Sequence, residues 1–247
     1  LSIPRKDAVE KDNLPNSYIS SSYIYEESIN VIKENLNSNI TLIDAYEIFN
    51  ADKKSNNNRY YYLQDHHITP KGAEVLYKNI IDTINDKRVK FYDLSNYDIG
   101  KTIINGSFNN QIGQSVKSVP EDLYIIPKFD INYVRYEEEK KSNLKVYAEA
   151  NTYENAYMKG DHGYTVIDTN RNQLPNILYV GSSFTNILEA LSIPSFNKMV
   201  SIDYRHNKSG NSINYYVEKY DIDYVVFVPS QSNDAFSSSM IKTHLGL

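Results

Sequence analysis

Short apolar runs that alternate with helical segments fill the C-terminal part of this chain, and that alternation leaves few folds open. Ile177-Leu178-Tyr179-Val180 is apolar at consecutive positions. A strand buried on both faces needs such a run, and strands of a helix-covered parallel sheet are buried in that way. Gly181-Ser182-Ser183 breaks the run, and Phe184 to Leu191 reads as a helix. Met199–Ile202 is the next strand, Ile213–Tyr220 the next helix, and Tyr224–Val228 a further strand. Strand alternating with helix implies βαβ units, hence an α/β fold with a parallel sheet flanked by helices. With 247 residues the chain can bury a sizeable core, as one large domain or two small ones.

The N-terminal part is less regular. Glu26 to Leu36 has helical spacing, and Ile40 to Ile43 reads as a short buried strand ending at Asp44. A polar loop over Asp52 to Asn58 leads to strand-like Tyr60–Leu63. Thr69-Pro70 is a strong helix start, with Thr as N-cap and Pro in the first helical position. That helix is expected to run to about Asp86, with Leu76, Ile80 and Ile84 on its apolar face. Between about 90 and 151, β-like pieces at Lys90–Leu94, Leu123–Ile126 and Leu144–Tyr147 predict a β-rich insertion. Its loops carry Gly100, Gly106 and Gly113, and Glu137 to Lys141 reads as a solvated turn or helix end.

Charge and composition exclude several classes. A net charge of -5 argues against a nucleic-acid partner and against a polybasic membrane-surface protein. With no cysteine, disulfides, thiol nucleophiles and zinc–thiolate sites are ruled out. That absence suits the cytosol, and equally the outer face of a bacterial cell. No apolar run reaches the length of a membrane span. The chain opens on Leu1 with no initiator Met and no signal peptide, so it reads as a fragment, with any export signal or anchor expected upstream of Leu1. Most of its 23 tyrosines are expected at half-buried packing positions, with sugar-binding platforms as a second use.

The chemistry concentrates in Asp65-His66-His67. In an extended segment Asp65 and His67 share one side, with His66 turned away as a bystander. A carboxylate beside an imidazole is half of a nucleophilic unit, and it can also form part of a metal site with His66. Ser183 stands at a strand-to-helix turn, where its Oγ projects above the sheet and the first helical N–H groups can stabilise an oxyanion. Alone, Gly-Ser-Ser is ordinary loop composition and Ser183 reads as a helix N-cap. Combined with Asp65 and His67 it completes a Ser-His-Asp set, which is recognised by roles and not by order in sequence. The backbone N–H groups of Ser183 and Phe184 are then the candidate oxyanion donors, with Asn186 as a further one. His162 sits in a Gly-flanked turn, as a structural residue or a substrate contact. Arg205 is either a ligand for a substrate carboxylate or one side of a structural ion pair. His206 and His244 have no assignable partner. No metal and no cofactor is expected, since the adjacent histidines converge poorly on one ion.

The stretch Tyr60 to Ala73, with Asp65-His66-His67-Ile68-Thr69-Pro70-Lys71-Gly72 at its centre, resembles the DHHW proteins of Gram-positive bacteria. These are related to alginate O-acetyltransferases of exopolysaccharide secretion systems within the wider SGNH hydrolase-like group. Gly181-Ser182-Ser183-Phe184 corresponds to the Gly-Asp-Ser-Phe signature, Gly160 to Ile167 to a third block, and Ser201-Ile202-Asp203-Tyr204-Arg205 to an Asp-x-Arg block. Ile3-Pro4-Arg5-Lys6 with Leu14-Pro15 is similar to the upstream Pro-x-Lys segment. The sequence departs from the signatures at Ile68, where the family has Trp, and at Ser182, where it has Asp. The resemblance implies an SGNH-like α/β domain with circularly permuted motif order. It implies O-acetyl transfer or ester hydrolysis on a cell-surface or secreted polysaccharide, through Ser183, His67 and Asp65, outside the cell. A membrane-bound acyltransferase partner is implied as the source of the acetyl group. The alternative is a catalytically degenerate relative that binds polysaccharide or scaffolds a secretion complex.

Overall fold

The structure, a computed structural model, describes residues 1–13, 19–56, 58–108 and 119–229. Leu14-Pro15, Gly113 and His244 lie outside the described residues. In the N-terminal part, of helices α1 (Lys6–Val9), α2 (Ser22–Asn35), α3 (Ala45–Ser55) and α4 (Pro70–Ile84), α1 packs on both α2 and α3, and α3 packs on α4. The segment Ile40–Ile43 is not a strand. It is held by a single bridge between Ser2 and Asp44, and Asp44 then caps α3 by accepting from the N–H groups of Tyr46 and Glu47. That cap carries the helix into Asp52–Ser55, which the polar composition placed in a loop. α4 starts as its sequence predicts: Thr69 Oγ1 accepts from Gly72 N at 3.1 Å, and Asn85 closes the helix in the left-handed region.

The middle of the chain divides between two sheets. Strands β1 (Tyr97–Ile103) and β2 (Pro120–Pro127) form an antiparallel pair of their own. β3 (Val134–Glu137) and β4 (Lys140–Ser142) form a hairpin that joins the main sheet. Its turn residues Glu138 and Glu139 both have positive φ, a geometry that normally draws Asn or Gly, so no hairpin signal is written in the residues there. Within this span, then, β3 and β4 pair with the main sheet and β1 and β2 do not. Lys90–Leu94 and Leu144–Tyr147 are not strands; the second contributes one bridge, from Tyr147 to Tyr157.

A short helix, α5 (Tyr153–Ala156), precedes β5 (Tyr164–Asp168), β6 (Ile177–Gly181), α6 (Asn186–Ser192), β7 (Lys198–Asp203), α7 (Ile213–Tyr220) and β8 (Tyr224–Phe227). The main sheet runs β4-β3-β5-β7-β6-β8. Only β7, β6 and β8 are mutually parallel; β5 pairs antiparallel with both β3 and β7. The sheet, expected to be parallel, is thus a mixed one. A parallel connection needs a crossover of a dozen or more residues, and residues 169–176 between β5 and β6 contain no helix.

β6 is buried along its whole length. Ile177 and Tyr179 face a core shared with Leu76, Tyr77, Ile80, Ile187 and Leu191 of α4 and α6. Leu178 and Val180 face Ile213 and Tyr216 of α7. Alternate residues thus serve opposite layers, which is why the run has no polar face. Many tyrosines are fully buried within this core, including Tyr60, Tyr61, Tyr62, Tyr77, Tyr153 and Tyr179. Several of the buried hydroxyls find partners, such as Tyr179 with Ser192 Oγ at 2.6 Å and Tyr147 with the Ala190 carbonyl at 2.7 Å. No helix among the described residues is long and apolar enough to cross a membrane.

Candidate active site

The carboxyl end of β6 meets the loop that precedes α4. Residues 63–67 bend and are not extended. Asp65 and His67 nevertheless meet, through an Asx-type bond in which the His67 backbone N–H donates to Asp65 Oδ1 at 2.9 Å. The same Oδ1 lies 2.6 Å from His67 Nδ1. On the other side of the ring, His67 Nε2 lies 2.8 Å from Ser183 Oγ. His67 is 1% exposed and Ser183 7%. Asp65 and His67, two positions apart, and Ser183, more than a hundred positions further on, form one continuous hydrogen-bonded line.

Each member has its own support. The second carboxylate oxygen of Asp65 accepts from Ser107 N at 2.8 Å. Burial on its own raises the Asp65 pKa, but the His67 hydrogen bond and charge, with the N–H groups of Ser107 and His67, outweigh it and hold the carboxyl well below the usual range. Glu121 of β2 reaches the loop from the separate sheet and accepts from Leu63 N at 2.8 Å. Lys6 Nζ, in the segment that resembles Pro-x-Lys, donates to the carbonyls of Tyr62 at 2.5 Å and Leu63 at 3.1 Å. The small sheet thus helps to fix the loop that carries Asp65 and His67.

Gly106 lets the segment that carries Ser107 approach this loop closely. A Cβ there would lie 2.2 Å from the Gln64 carbonyl oxygen and 2.9 Å from Asp65 Cβ. Gly106→Ala is expected to displace the loop at Gln64 and Asp65 from its present position. A misplacement of about 1 Å costs on the order of 100-fold in rate. Hydrolysis of p-nitrophenyl acetate beside a thermal melt checks this; an Ala variant with wild-type rate would show the loop to be compliant.

Ile68 stands where the resemblance places Trp, and it is fully buried against the core. The aromatic wall beside His67 is nonetheless present. Tyr153 of α5 stacks on the imidazole, with ring centroids 3.9 Å apart and planes within 4°, and Phe184 covers another side at 5.1 Å. Ser182, in place of Asp, makes no capping bond. The turn is held instead by Thr185, whose N–H and Oγ1 reach the Ser182 carbonyl at 2.8 and 2.9 Å. Ser183 to Thr185 form a 3-10 turn before α6. The N–H groups of Ser183 and Phe184 open it, where a helix supplies no internal acceptor.

His66 is not turned away. Its ring lies 3.9 Å from that of His67, and its Nδ1 lies 2.8 Å from Ser107 Oγ. Burial first, then the neighbouring His67, push its pKa down to about 4, so it lines the site as a neutral ring. Asn186 and Arg205 converge on Asp161: Asn186 Nδ2 lies 3.0 Å from its Oδ1 and an Arg205 guanidinium nitrogen 2.6 Å from its Oδ2. Arg205 also binds Asp203 through Nε at 3.0 Å. His162 turns to the Lys159 carbonyl at 3.3 Å and to Glu137 at 3.5 Å. His206 clusters with Asp161 and Asp203.

A metal-binding reading of Asp65, His66 and His67 fits this geometry poorly, although their donor atoms lie close together. The 2.6 Å between Asp65 Oδ1 and His67 Nδ1 is hydrogen-bond spacing. Two ligands of one ion, each about 2.0–2.2 Å from it in a tetrahedral array, stand further apart.

No family model matches the sequence, and no curated protein matches it. Solved structures do match. A DHHW family protein from Eubacterium siraeum has 20% identity and a TM-score of 0.75, covering 99% of this chain and 81% of that one. Bacillus cereus PatB1, solved with a sulfonyl adduct, has 21% identity and a TM-score of 0.72, covering 98% of this chain and 84% of that one. At such identities the likeness is one of fold, and in fold this chain is similar to a DHHW family protein.

Proposed function

We propose that this protein is a serine-dependent O-acetyltransferase or acetylesterase that works through a Ser-His-Asp acyl-enzyme mechanism. The observation that carries the reading is the line from Asp65 Oδ1 through His67 Nδ1 and Nε2 to Ser183 Oγ, at 2.6 and 2.8 Å. Nucleophile, base and orienting carboxylate are all within hydrogen-bond reach, as nucleophilic catalysis requires. A degenerate binding module has no need to keep that line intact in a buried site.

In the reaction, Ser183 Oγ attacks the carbonyl carbon of an acetyl ester and His67 Nε2 takes the hydroxyl proton. The oxyanion is held by the N–H groups of Ser183 and Phe184. Asp65 stabilises the imidazolium and fixes Nδ1 as its donor. The Tyr153 face, stacked on the ring, favours the same cation. Collapse breaks the ester bond, His67 returns the proton to the departing alcohol, and acetyl-Ser183 remains. A sugar hydroxyl or water then attacks the acetyl carbon, giving up its proton to His67; the bond from that carbon to Ser183 Oγ breaks, and His67 returns the proton to Ser183 Oγ. In this reading the substrate is an O-acetylated or acceptor polysaccharide at the cell surface, the fold is a permuted SGNH-like arrangement, and the acetyl group comes from a membrane-bound acyltransferase.

PatB1, which shares the fold, has been solved with a sulfonyl adduct, and the same class of reagent tests the proposal here. A phenylmethylsulfonyl or fluorophosphonate probe is expected to add one label at Ser183, located by peptide mass spectrometry, and Ser183→Ala to take none. A label elsewhere, or none on the wild-type protein, removes Ser183 as the nucleophile.

A further inference from the structure

A carboxyl group that the mechanism does not use supports the nucleophile turn. Glu189 of α6 is 1% exposed. Its Oε1 contacts Thr185 Oγ1 and lies 2.6 Å from Ser201 Oγ on β7. Thr185 Oγ1 also lies 2.9 Å from the Ser182 carbonyl oxygen. A carbonyl only accepts and a hydroxyl has one hydrogen. When Thr185 donates to Ser182, the hydrogen in its contact with Glu189 must come from Glu189, so that carboxyl carries a proton. When Glu189 is ionised, Thr185 turns its hydrogen to the carboxylate, and the Ser182 carbonyl keeps only the Thr185 N–H. The Ser182 carbonyl belongs to the peptide that bears the Ser183 N–H.

We propose, on the reading of Ser183 as nucleophile, that Glu189 is a protonated positioning residue: it donates through Thr185 to the Ser182–Ser183 peptide and so strengthens the Ser183 N–H as an oxyanion donor. Hydrogen bonds in series polarise one another. The surroundings keep the proton in place. Burial comes first and raises the Glu189 pKa to about 7, against the opposing bonds from Ser201 and Thr185; Asp161 and Asp203 push in the same direction as burial. Arg135 of β3 is the cation that feels Glu189, and its guanidinium is held by Glu137 at 2.7 Å and the Met158 carbonyl at 2.5 Å. Arg205 is held between Asp161 and Asp203. The remaining titratable neighbours, Tyr153 and Tyr179, are buried phenols with raised pKa values that stay neutral.

Two substitutions separate this role from simple packing. Glu189→Gln sets an amide with two hydrogens beside Thr185 and Ser201, so the donor persists at every pH. Glu189→Leu removes it. With p-nitrophenyl acetate as probe, wild-type kcat is expected to fall as pH rises through about 7, the value at which Glu189 loses its proton. The Gln variant lacks that fall, and the Leu variant runs low throughout. One neutral hydrogen bond corresponds to about five-fold in rate. Thr185→Val should erase the difference between wild type and Glu189→Gln. Infrared spectra should show a protonated carboxyl band at pH 6 that is absent in Glu189→Gln. Stability moves the same way: a carboxyl raised from 4.5 to about 7 destabilises the fold as pH climbs through that window, so Glu189→Gln gains on wild type in Tm there. A Gln profile that superimposes on wild type, or no carboxyl band at pH 6, overturns the proposal. Failure of the underlying reading looks different: wild-type protein that neither hydrolyses the ester nor takes a sulfonyl label at any pH removes the nucleophile, and this role with it, whatever the band does.

Discussion

Ser183→Ala is expected to lower ester turnover by roughly 10^4- to 10^6-fold, and His67→Ala in addition to lower it no further. The magnitude follows from the way the line of three residues operates. In the proposed mechanism Ser183 Oγ is the atom that bonds to the acetyl carbon, and His67 Nε2, 2.8 Å away, has no other proton to take in the first step. Removing either one removes the same covalent route, so their effects do not add. What survives is the background from the N–H groups of Ser183 and Phe184, which still polarise a bound carbonyl. The substitution deletes one oxygen from a small side chain and leaves the turn bonds of Thr185 to the Ser182 carbonyl in place, so the melting temperature should stay near that of wild type. The measurement is kcat/KM for p-nitrophenyl acetate in the two single variants and the double variant. A Ser183→Ala protein with a tenth of wild-type activity, or a double variant much worse than either single one, contradicts a shared covalent step.

The parts of this site differ in how far a sequence exposes them. Ser183 and β6 were legible because a strand buried on both faces writes a continuous apolar run, and a turn that ends it writes Gly-Ser-Ser. Asp65 and His67 were legible as a pair, but for the wrong reason. The chain there bends, and the two meet through an Asx bond that spans two residues. An extended segment would also turn His66 away, whereas the bend brings its ring against that of His67. Tyr153 was not legible at all. Its position under the imidazole depends on α5 and on the packing of a segment remote in sequence, and among 23 tyrosines nothing marked it. The same holds for Ser107 and Glu121, which act through a backbone N–H and across a sheet boundary. Gly106 left a trace as a loop glycine, but its reason is the close approach of the Gln64 carbonyl, which only the fold reveals. The mixed sheet escaped notice because strand direction is set by connection length and pairing, and an edge hairpin turning on Glu138-Glu139 carries no turn composition.

Asp65→Asn should cost about 10^4-fold in turnover with the fold intact. The asparagine amide has the shape of the carboxylate, so its oxygen can still accept from Ser107 N or His67 N, and the loop keeps its clamp from Glu121 and Lys6. The change is one of hydrogen direction. Asp65 Oδ1, 2.6 Å from His67 Nδ1, can only accept, which puts the imidazole hydrogen on Nδ1 and leaves Nε2 free to take the Ser183 proton. An amide NH2 in that place donates to Nδ1, moves the ring hydrogen to Nε2 and closes the base. It also deprives the imidazolium of its counter-charge. The acid side of the pH profile carries information as well. The Asp65 pKa is depressed, so its carboxylate contributes stability above the ordinary Asp value of about 3.9, lost only as pH falls through the lower folded value. Asp65 thus stays charged throughout the working range, and the Asn variant should be low at every pH from 5 to 9 instead of recovering at one end. Proton NMR offers a check that does not depend on turnover: a far-downfield Nδ1 proton in wild type should disappear in the variant. If the Asn protein kept a third of wild-type kcat, Asp65 would be a loop-fixing residue only, and the chemistry would rest on the pair His67 and Ser183.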